Sequence, residues 1–276
     1  RMMGRFIPML KEQGVQRVRD VDGSLSRLRG GEHRRVRHIC LLVRNKTGLK
    51  NLYKLISASY LKHYQRNPII PRSLLEQHRE GLLIGSACEA GEVFDAVLRG
   101  AQPQELRRIA SFYDYFEIMP LANNRFLVEN GTVRDEDALR DLNRRIVRLA
   151  HELEKPFVAT GDVHFLDAKD EIYRRILLAA KKFSDADREN PLYFRTTAEM
   201  MEEFAYLGKR ECYEAVVKNP NAIADMCEDI QLLPDGLFPP KIENSDGQLK
   251  DLVYGKMHEI YGENPPQIVT ERVETE

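Results

Sequence analysis

An aspartate and a histidine lie two positions apart just after an apolar run, and both side chains can bind metal ions. Residues 157–160 form a short apolar stretch typical of a buried strand, and Asp162 and His164 follow it closely. In an extended chain, residues i and i+2 point the same way, so the carboxylate and the imidazole can aim at one point. Such oxygen and nitrogen donors suit Zn, Mn or Fe. An isolated Asp-x-His is more often an N-cap and a surface histidine, so the rest of the chain must decide.

Two further side chains are candidates for the same site. Cys88 follows the apolar run 82–85, and Glu117 lies inside the apolar run 115–119. A lone cysteine is most often a small buried apolar residue, but beside an Asp-x-His it becomes a candidate thiolate ligand. A carboxylate in an apolar strand costs free energy unless it is paired or ligating. We weigh metal binding by Glu117 about equally with a salt bridge to an arginine.

His38 stands at the start of another apolar run, residues 39–43. In parallel α/β folds, functional sites collect at the carboxyl ends of the strands, and His38 would begin its strand. Taken alone, His38 is therefore interpreted as a hydrogen-bonded structural histidine. The histidines other than His38 and His164 lie in polar or helical surroundings and are given no role.

The elements that would position these residues alternate between short apolar strands and helices from residue 38 onward. Strands are predicted at residues 39–43, 82–85, 115–119 and 157–160. Helices are predicted over residues 135–154 and 170–183. Helix starts are predicted at the capping boxes Ser73-x-x-Glu76 and Thr196-x-x-Glu199 and at the N-cap Asn219. Such alternation predicts parallel βαβ units, and four strands are too few to close a barrel without further chain.

Composition disfavours several classes of protein. The 276 residues carry 42 basic and 43 acidic side chains, so no global positive field favours nucleic-acid binding. The four cysteines include no Cys-x-x-Cys pair, which disfavours a disulfide framework or a zinc ribbon and fits a reducing cytosol. The sequence contains no signal peptide, membrane-spanning apolar run, P-loop, Gly-x-Gly-x-x-Gly or Gly-x-Ser-x-Gly. Membrane, dinucleotide-binding and serine-hydrolase functions are therefore disfavoured.

The length predicts about two domains. A short helix over 2–13 and a charged linker over 15–37 precede the alternating region, and a rigid proline-rich connector at 233–240 follows it. We therefore expect the end of a preceding module and a linker at 1–36, a main domain at 37–233, and a connector with the start of another module at 234–276. The chain opens and ends in mid-pattern, which predicts a segment of a larger protein.

Four segments together resemble the PHP (polymerase and histidinol phosphatase) domain of bacterial replicative polymerases, most nearly that of the PolC-type DNA polymerase III α subunits of Gram-positive bacteria. These segments are residues 38–55, 70–75, 80–88 and 159–165. The family's histidine before the first strand matches His38, its Gly-Cys position matches Cys88, and its Asp-x-His matches Asp162 and His164. Ala87 stands where the family has glycine. The resemblance thus returns His38 to the candidate metal site.

The resemblance also implies a fold, cofactors and partners. The fold would be α/β, a distorted β/α barrel that is partial in this chain and is followed by the start of a polymerase module. The site would hold Zn or Mn, with Glu117 as an additional candidate ligand, and the polymerase would use Mg. DNA, the sliding clamp and other replisome proteins are the implied partners, and a membrane is not. Residues 1–13 look like the last helix of the proofreading exonuclease that this family inserts in its PHP domain.

Parts of the family's machinery do not occur in this sequence. The family's His-x-His motif and one acidic ligand lie upstream of the exonuclease insertion, and the catalytic aspartates of the polymerase lie downstream. We therefore expect part of one metal site, weak metal binding and no polymerase activity in this segment.

Three hypotheses on function stay open at this point. The segment is a PHP domain with phosphoesterase or exonuclease chemistry inside a replicative polymerase, or it is a scaffold there that holds metal for stability. The alternative is a free-standing, metal-dependent phosphoesterase related to histidinol phosphatase.

Overall fold

The computed structural model describes residues 16–19, 36–64, 67–183, 186, 191–232 and 235–276. The chain divides into two compact units, Arg1–Ile230 and Gln231–Glu276. The predicted helix over 2–13, most of the predicted linker, and residues 233 and 234 at the predicted domain boundary lie outside the described residues. Across the described ranges, no helix is both long and apolar enough to cross a membrane.

The strands of the first unit form two sheets that a bridge connects. They are β1 Gln16–Arg19, β2 Val36–Val43, β3 Ile70–Pro71, β4 Leu82–Gly85, β5 Phe116–Ile118 and β6 Phe157–Ala159. One sheet has the order β3-β1-β2-β4, and β5 pairs with β6 in the other. A bridge between Gly85 and Tyr115 links the end of β4 to the start of β5. The result is a mixed α/β unit in which the predicted strands are present.

Strand direction differs from the prediction. β2 runs antiparallel to β4, with Cys40 opposite Gly85, and β1 is antiparallel to β2. The β1–β3 and β5–β6 pairs are parallel. The prediction of parallel units is therefore wrong for β2 and β4, because two short strands escaped it. β3 has two residues, and β1 lies inside the charged stretch 15–37 for which the sequence predicts a linker.

The helices surround these strands and also form the second unit. They are α1 Lys46–Leu61, α2 Arg72–Gln77, α3 Glu92–Leu98, α4 Pro103–Ala110, α5 Phe126–Glu129, α6 Glu136–Glu152, α7 Glu171–Ala180, α8 Thr197–Glu203, α9 Lys209–Tyr213 and α10 Asn219–Asp225, with α11 Ser245–Tyr261 and α12 Gln267–Thr275 in the second unit. A π-helical turn, Glu214–Lys218, joins α9 to α10. Asn45 caps α1 and Asp135 caps α6 through their side chains. The predicted capping box of Thr196 and Glu199 is confirmed at α8.

Two predicted helix starts are wrong. α2 begins at Arg72 after Pro71, so Ser73 lies inside the first turn and makes no cap. Asn219 continues the helical path from the π-helical turn rather than capping a new helix. Its side-chain nitrogen instead donates a hydrogen bond to the carbonyl of Phe157, 2.8 Å away, which is a tertiary contact that local sequence does not reveal.

The strands bury side chains on both faces. Ile39, Leu41 and Val43 of β2 join the large core formed with the helices, whereas Leu42 points to a second, smaller cluster. That smaller cluster contains Leu42, Leu83, Tyr115, Val158 and Ile223. Because side chains alternate along a strand, His38 shares the face of Leu42 and Glu117 shares the face of Tyr115. Burial on both faces explains why the strands appear in the sequence as continuous apolar runs.

Candidate metal centre

The antiparallel pairing of β2 and β4 brings His38 to the edge where the candidate site lies. Cys40 is opposite Gly85, the last residue of β4, so the beginning of β2 lies beside the carboxyl end of β4. His38 comes two residues before Cys40, and its backbone N–H donates a 3.1 Å hydrogen bond to the carbonyl of Ala90. His38 therefore lies at this edge although it begins its strand, because β2 is antiparallel to β4 and not parallel as predicted.

His38 and Cys88 form the first donor pair. The Nδ1 atom of His38 lies 3.3 Å from the Sγ atom of Cys88, and both side chains are half-buried. Burial raises the pKa of the Cys88 thiol to about 12, with the Glu89 carboxylate as the next cause, while a backbone hydrogen bond at Ala90 lowers it. Without a cation the thiol is therefore protonated at neutral pH. A bound metal ion reverses that preference, because a coordinating thiol is deprotonated outright.

Asp162 and His164 form the second donor pair. The Oδ2 atom of Asp162 lies 3.3 Å from the Nε2 atom of His164, so the two side chains meet as the sequence predicts. The backbone between them is not the expected extended chain, since Asp162 has a φ of +25°. The backbone N–H of His164 is held by the carbonyl of Leu192 at 2.8 Å. About half of each side chain remains exposed, 53% for Asp162 and 43% for His164.

Both pairs lie near the carboxyl ends of β4 and β6, which share an edge because β4, β5 and β6 run parallel. The negative charge of Asp162 is one of the smaller causes that raise the pKa of Cys88. Within the described ranges, however, no group of three or more His, Cys, Asp and Glu side chains is close enough to hold a metal ion. The structure thus brings the four predicted residues together as two pairs rather than as one closed set of ligands.

The donor atoms in these pairs fit a divalent metal. Two imidazoles, a thiolate and a carboxylate are the ligand types that zinc takes in proteins. Tetrahedral zinc with bonds of about 2.0–2.3 Å sets neighbouring donor atoms roughly 3.3–3.7 Å apart. Both observed pairs, at 3.3 Å, agree with that spacing. Each pair of side chains therefore fits two of the four ligand positions of a tetrahedral zinc ion.

Among the described residues, Glu117 forms no salt bridge, which was one of the two contacts considered from the sequence. It is buried in the middle of β5 with 7% exposure. Its Oε1 atom accepts a 3.2 Å hydrogen bond from the Ala87 N–H, and its Oε2 atom accepts one of 3.1 Å from the Thr160 hydroxyl. Burial raises the pKa of Glu117, and hydrogen bonds from Cys40, Thr160 and Ala87 oppose that rise.

Sequence reasoning missed the residues that connect the two pairs. Ser86, Ala87 and Thr160 carry no metal-binding chemistry, so nothing in their types marked them. The one available signal was Glu117 itself, because a carboxylate inside an apolar strand needs partners. Those partners lie 30 and 43 residues away in the chain, and only the fold brings them near.

A cavity of about 240 Å³ borders His38 on another side. Three of the arginines that line it, Arg37, Arg72 and Arg99, form ion pairs with the carboxylates of Asp95, Glu92 and Glu105 respectively. These guanidinium charges are thus already balanced, which argues against a strong anion-binding site in this cavity.

Comparison with known families agrees with the mixed α/β fold. The PHP domain family matches residues 10–130, a range that includes His38, Cys88 and Glu117. The chain therefore contains a PHP domain.

Individual relatives extend the similarity over nearly the whole chain. DNA polymerase III PolC-type from Clostridium perfringens is 52% identical over 87% of this chain, and that from Caldanaerobacter subterraneus is 47% identical over 99%. The Bacillus subtilis protein of the same name is 42% identical over 98%. The chain corresponds to the PHP-containing region of PolC-type DNA polymerase III. It spans only 16–20% of the length of these relatives.

Proposed function

We propose that this chain is the PHP region of a bacterial replicative DNA polymerase, whose complete protein carries out template-directed DNA synthesis. The observation that carries the proposal is the 42–52% identity, over 87–99% of the chain, to proteins named DNA polymerase III PolC-type. These relatives disfavour the alternative of a free-standing phosphoesterase, because each is about five times longer or more than the matched region.

The finer fold assignment belongs to the same proposal. We infer a distorted β/α barrel in which β2, β4, β5 and β6 form part of the wall, and a polymerase module that begins near residue 234. The bridge from β4 to β5 supports this, since it makes the two sheets continuous. The face that carries His38 and Glu117 would then be the inner one.

The metal site is proposed on His38, Cys88, Asp162 and His164, with Zn or Mn as the ion. When bound, such an ion acidifies a coordinated water and can thereby support phosphoester hydrolysis. His38 and Cys88 would provide nitrogen and sulfur donors, and Asp162 and His164 would provide oxygen and nitrogen donors. We expect the main contribution of the site to be stability, because metal binding to a site that exists only in the folded chain is coupled to folding.

Partners and location follow from the polymerase proposal and not from this segment alone. The complete protein would bind DNA, Mg at its polymerase centre, the sliding clamp and other replisome proteins, and it would act in the bacterial cytoplasm. The segment itself has a net charge of −1, so it offers no broad electrostatic track for DNA.

The test is the double variant Asp162→Ala/His164→Ala in the complete natural protein. We expect a lower melting temperature and loss of any PHP nuclease activity, whereas nucleotide incorporation falls only as far as the protein unfolds. Asp141→Ala/His151→Ala is the matched control, since both residues are exposed on α6.

Two outcomes would contradict parts of this proposal. An unchanged melting temperature with complete loss of incorporation means that the site acts directly in DNA synthesis, and the scaffold role is then wrong. A complete protein without template-directed incorporation under any metal condition contradicts the polymerase assignment itself.

A further inference from the structure

The Glu117 side chain forms hydrogen bonds with both segments that carry the candidate ligands. One carboxylate oxygen binds the N–H of Ala87, the residue before Cys88, at 3.2 Å. The other binds the hydroxyl of Thr160, two residues before Asp162, at 3.1 Å. A single side chain therefore spans the gap between the loop after β4 and the loop after β6.

The backbone around Glu117 strengthens the same connection. The N–H of Glu117 donates a 2.9 Å hydrogen bond to the hydroxyl of Ser86, which is itself only 3% exposed. On the other side, the N–H of Thr160 donates to the carbonyl of Ile118 at 3.0 Å. The position of Glu117 is thus fixed by its own strand as well as by the loops that it holds.

Gly85 leaves the space in which the carboxylate lies. A Cβ atom at this position would come within 2.7 Å of the Glu117 Oε1 atom and 2.4 Å of the Tyr115 hydroxyl oxygen. Real Cβ atoms do not approach so closely, so the Glu117 carboxylate or the Tyr115 ring, both buried, would have to shift. The absence of a side chain at 85 is therefore a condition for the contact between Glu117 and Ala87.

A buried carboxylate without an ion pair costs folding free energy, so stability alone does not account for Glu117. We propose that Glu117 is a positioning residue, which sets the separation between the His38–Cys88 pair and the Asp162–His164 pair so that both can close on one metal ion. This inference rests on the proposed metal site. It gives Glu117 a role outside the set of direct ligands, because its two oxygens hold the loops that carry those ligands.

Cobalt binding to the complete natural protein tests the proposal. Co²⁺ bound to a thiolate gives a charge-transfer absorption band, so the band reports Cys88 and its loss in Cys88→Ser identifies the site. We expect Glu117→Leu to weaken Co²⁺ binding by about 10–100-fold, as loss of an outer-shell partner does. Glu117→Gln can still accept from Ala87 and can donate to Thr160, so its affinity should stay within about threefold of the original.

Asn143→Leu is the control for a general loss of stability. Asn143 is 2% exposed, and its amide donates to the Met119 carbonyl and the Tyr206 hydroxyl instead of to either loop. This variant should be destabilised but should bind Co²⁺ like the unmodified protein. Equal Co²⁺ affinity in Glu117→Leu and the unmodified protein would overturn the positioning role.

A metal-free measurement separates this inference from the metal site on which it rests. Amide hydrogen exchange at Ala87 and Cys88 should be faster in Glu117→Leu than in Asn143→Leu, because the loop loses its buried acceptor. If the unmodified protein lacks a Cys88-dependent band, the proposed metal site is wrong, and the exchange rates alone then show whether Glu117 holds the loop. Unchanged exchange in Glu117→Leu contradicts the positioning role in either case.

Discussion

Ala87 occupies a backbone conformation that favours glycine. Its φ is +58°, in the left-handed region, and the next residue is the candidate ligand Cys88. For an L-residue with a side chain, this conformation costs roughly 1–2 kcal/mol. The hydrogen bond from its N–H to Glu117 holds the residue in place. The backbone strain at Ala87 therefore lies directly beside a candidate ligand.

We expect Ala87→Gly to leave the free energy of unfolding unchanged or to raise it by up to about 1 kcal/mol. Relief of the left-handed strain opposes the extra entropy that glycine gives to the unfolded chain. Ala150→Gly is the comparison, because Ala150 is fully buried in α6. This variant should have a free energy of unfolding lower by about 1 kcal/mol or more. Urea unfolding of both variants makes the measurement, and equal losses would show that Ala87 is not strained.

At the scale of elements, the two capping-box sequences behave differently in the fold. At α8, Thr196 accepts from the Glu199 N–H and the Glu199 carboxylate accepts from the Thr196 N–H. At α2, the helix begins one residue before Ser73, so the same sequence pattern makes no cap. The position of the preceding strand β3, which ends at Pro71, determines where α2 can start.

Thr196→Ala should lower the free energy of unfolding by about 0.5–2 kcal/mol, the range for loss of an N-cap, whereas Ser73→Ala should change it by less than about 0.5 kcal/mol. Chemical denaturation of both variants tests the difference. The cap also adds acid sensitivity. Hydrogen bonds from Thr196 lower the pKa of Glu199 in the folded state. The Glu199 carboxylate therefore adds to the free energy of unfolding at pH values above its unfolded-state pKa, and this contribution is lost as the pH falls through its folded-state pKa. Equal effects of the two alanine variants would contradict the observed difference in capping.

Helix α7 has an apolar face that remains exposed. Ile172, Tyr173, Ile176 and Leu177 are each at least half exposed, and α7 buries no residue. By contrast, α6 places Leu139, Leu142 and Ile146 in the core. Both helices have a similar apolar pattern in the sequence, so pattern alone does not tell which face is covered.

Leu177→Ala should therefore cost less than about 0.5 kcal/mol, while Leu142→Ala should cost about 2–5 kcal/mol. Leu177 is 63% exposed and Leu142 only 6%, so only the second substitution leaves a cavity. Thermal unfolding of the two variants under the same conditions makes the comparison. A large loss for Leu177→Ala would mean that another surface covers this face in solution.

At the scale of the whole molecule, the candidate site is assembled from distant parts of the first unit. His38 comes from β2, Cys88 from the loop after β4, and the Asp162–His164 pair from the loop after β6. The described residues supply these as two pairs and contain no group of three. A multinuclear site of the kind that the family resemblance implies needs more ligands than these.

We expect the 276-residue chain by itself to retain less than one equivalent of Zn or Mn after dialysis, because its donors form incomplete shells. Metal analysis by mass spectrometry measures the content, with Cys88→Ser as the background. Added metal should still raise the melting temperature through the site, since binding to the folded state alone stabilises it. Stoichiometric retention of two or more ions would show that the chain contains ligands beyond the four proposed.

The sequence by itself determined the elements and the types of the candidate ligands. Strands β2, β4, β5 and β6, the long helix α6 and the cap at Thr196 follow from local patterns, because propensity, periodicity and capping act over a few residues. His38, Cys88, Asp162 and His164 were likewise selected from residue types and the family resemblance. None of these inferences requires knowledge of which strands are neighbours.

Only the tertiary structure decided how those parts are arranged. The antiparallel pairing of β2 with β4 placed His38 beside Cys88, and the contacts of Glu117 tied Ala87 to Thr160. Strand direction and such contacts depend on packing between residues 30 to 50 positions apart, including the two-residue strand β3 that has almost no local signal. Long-range packing leaves no periodic trace in the chain, so the geometry of the site becomes visible only in the fold.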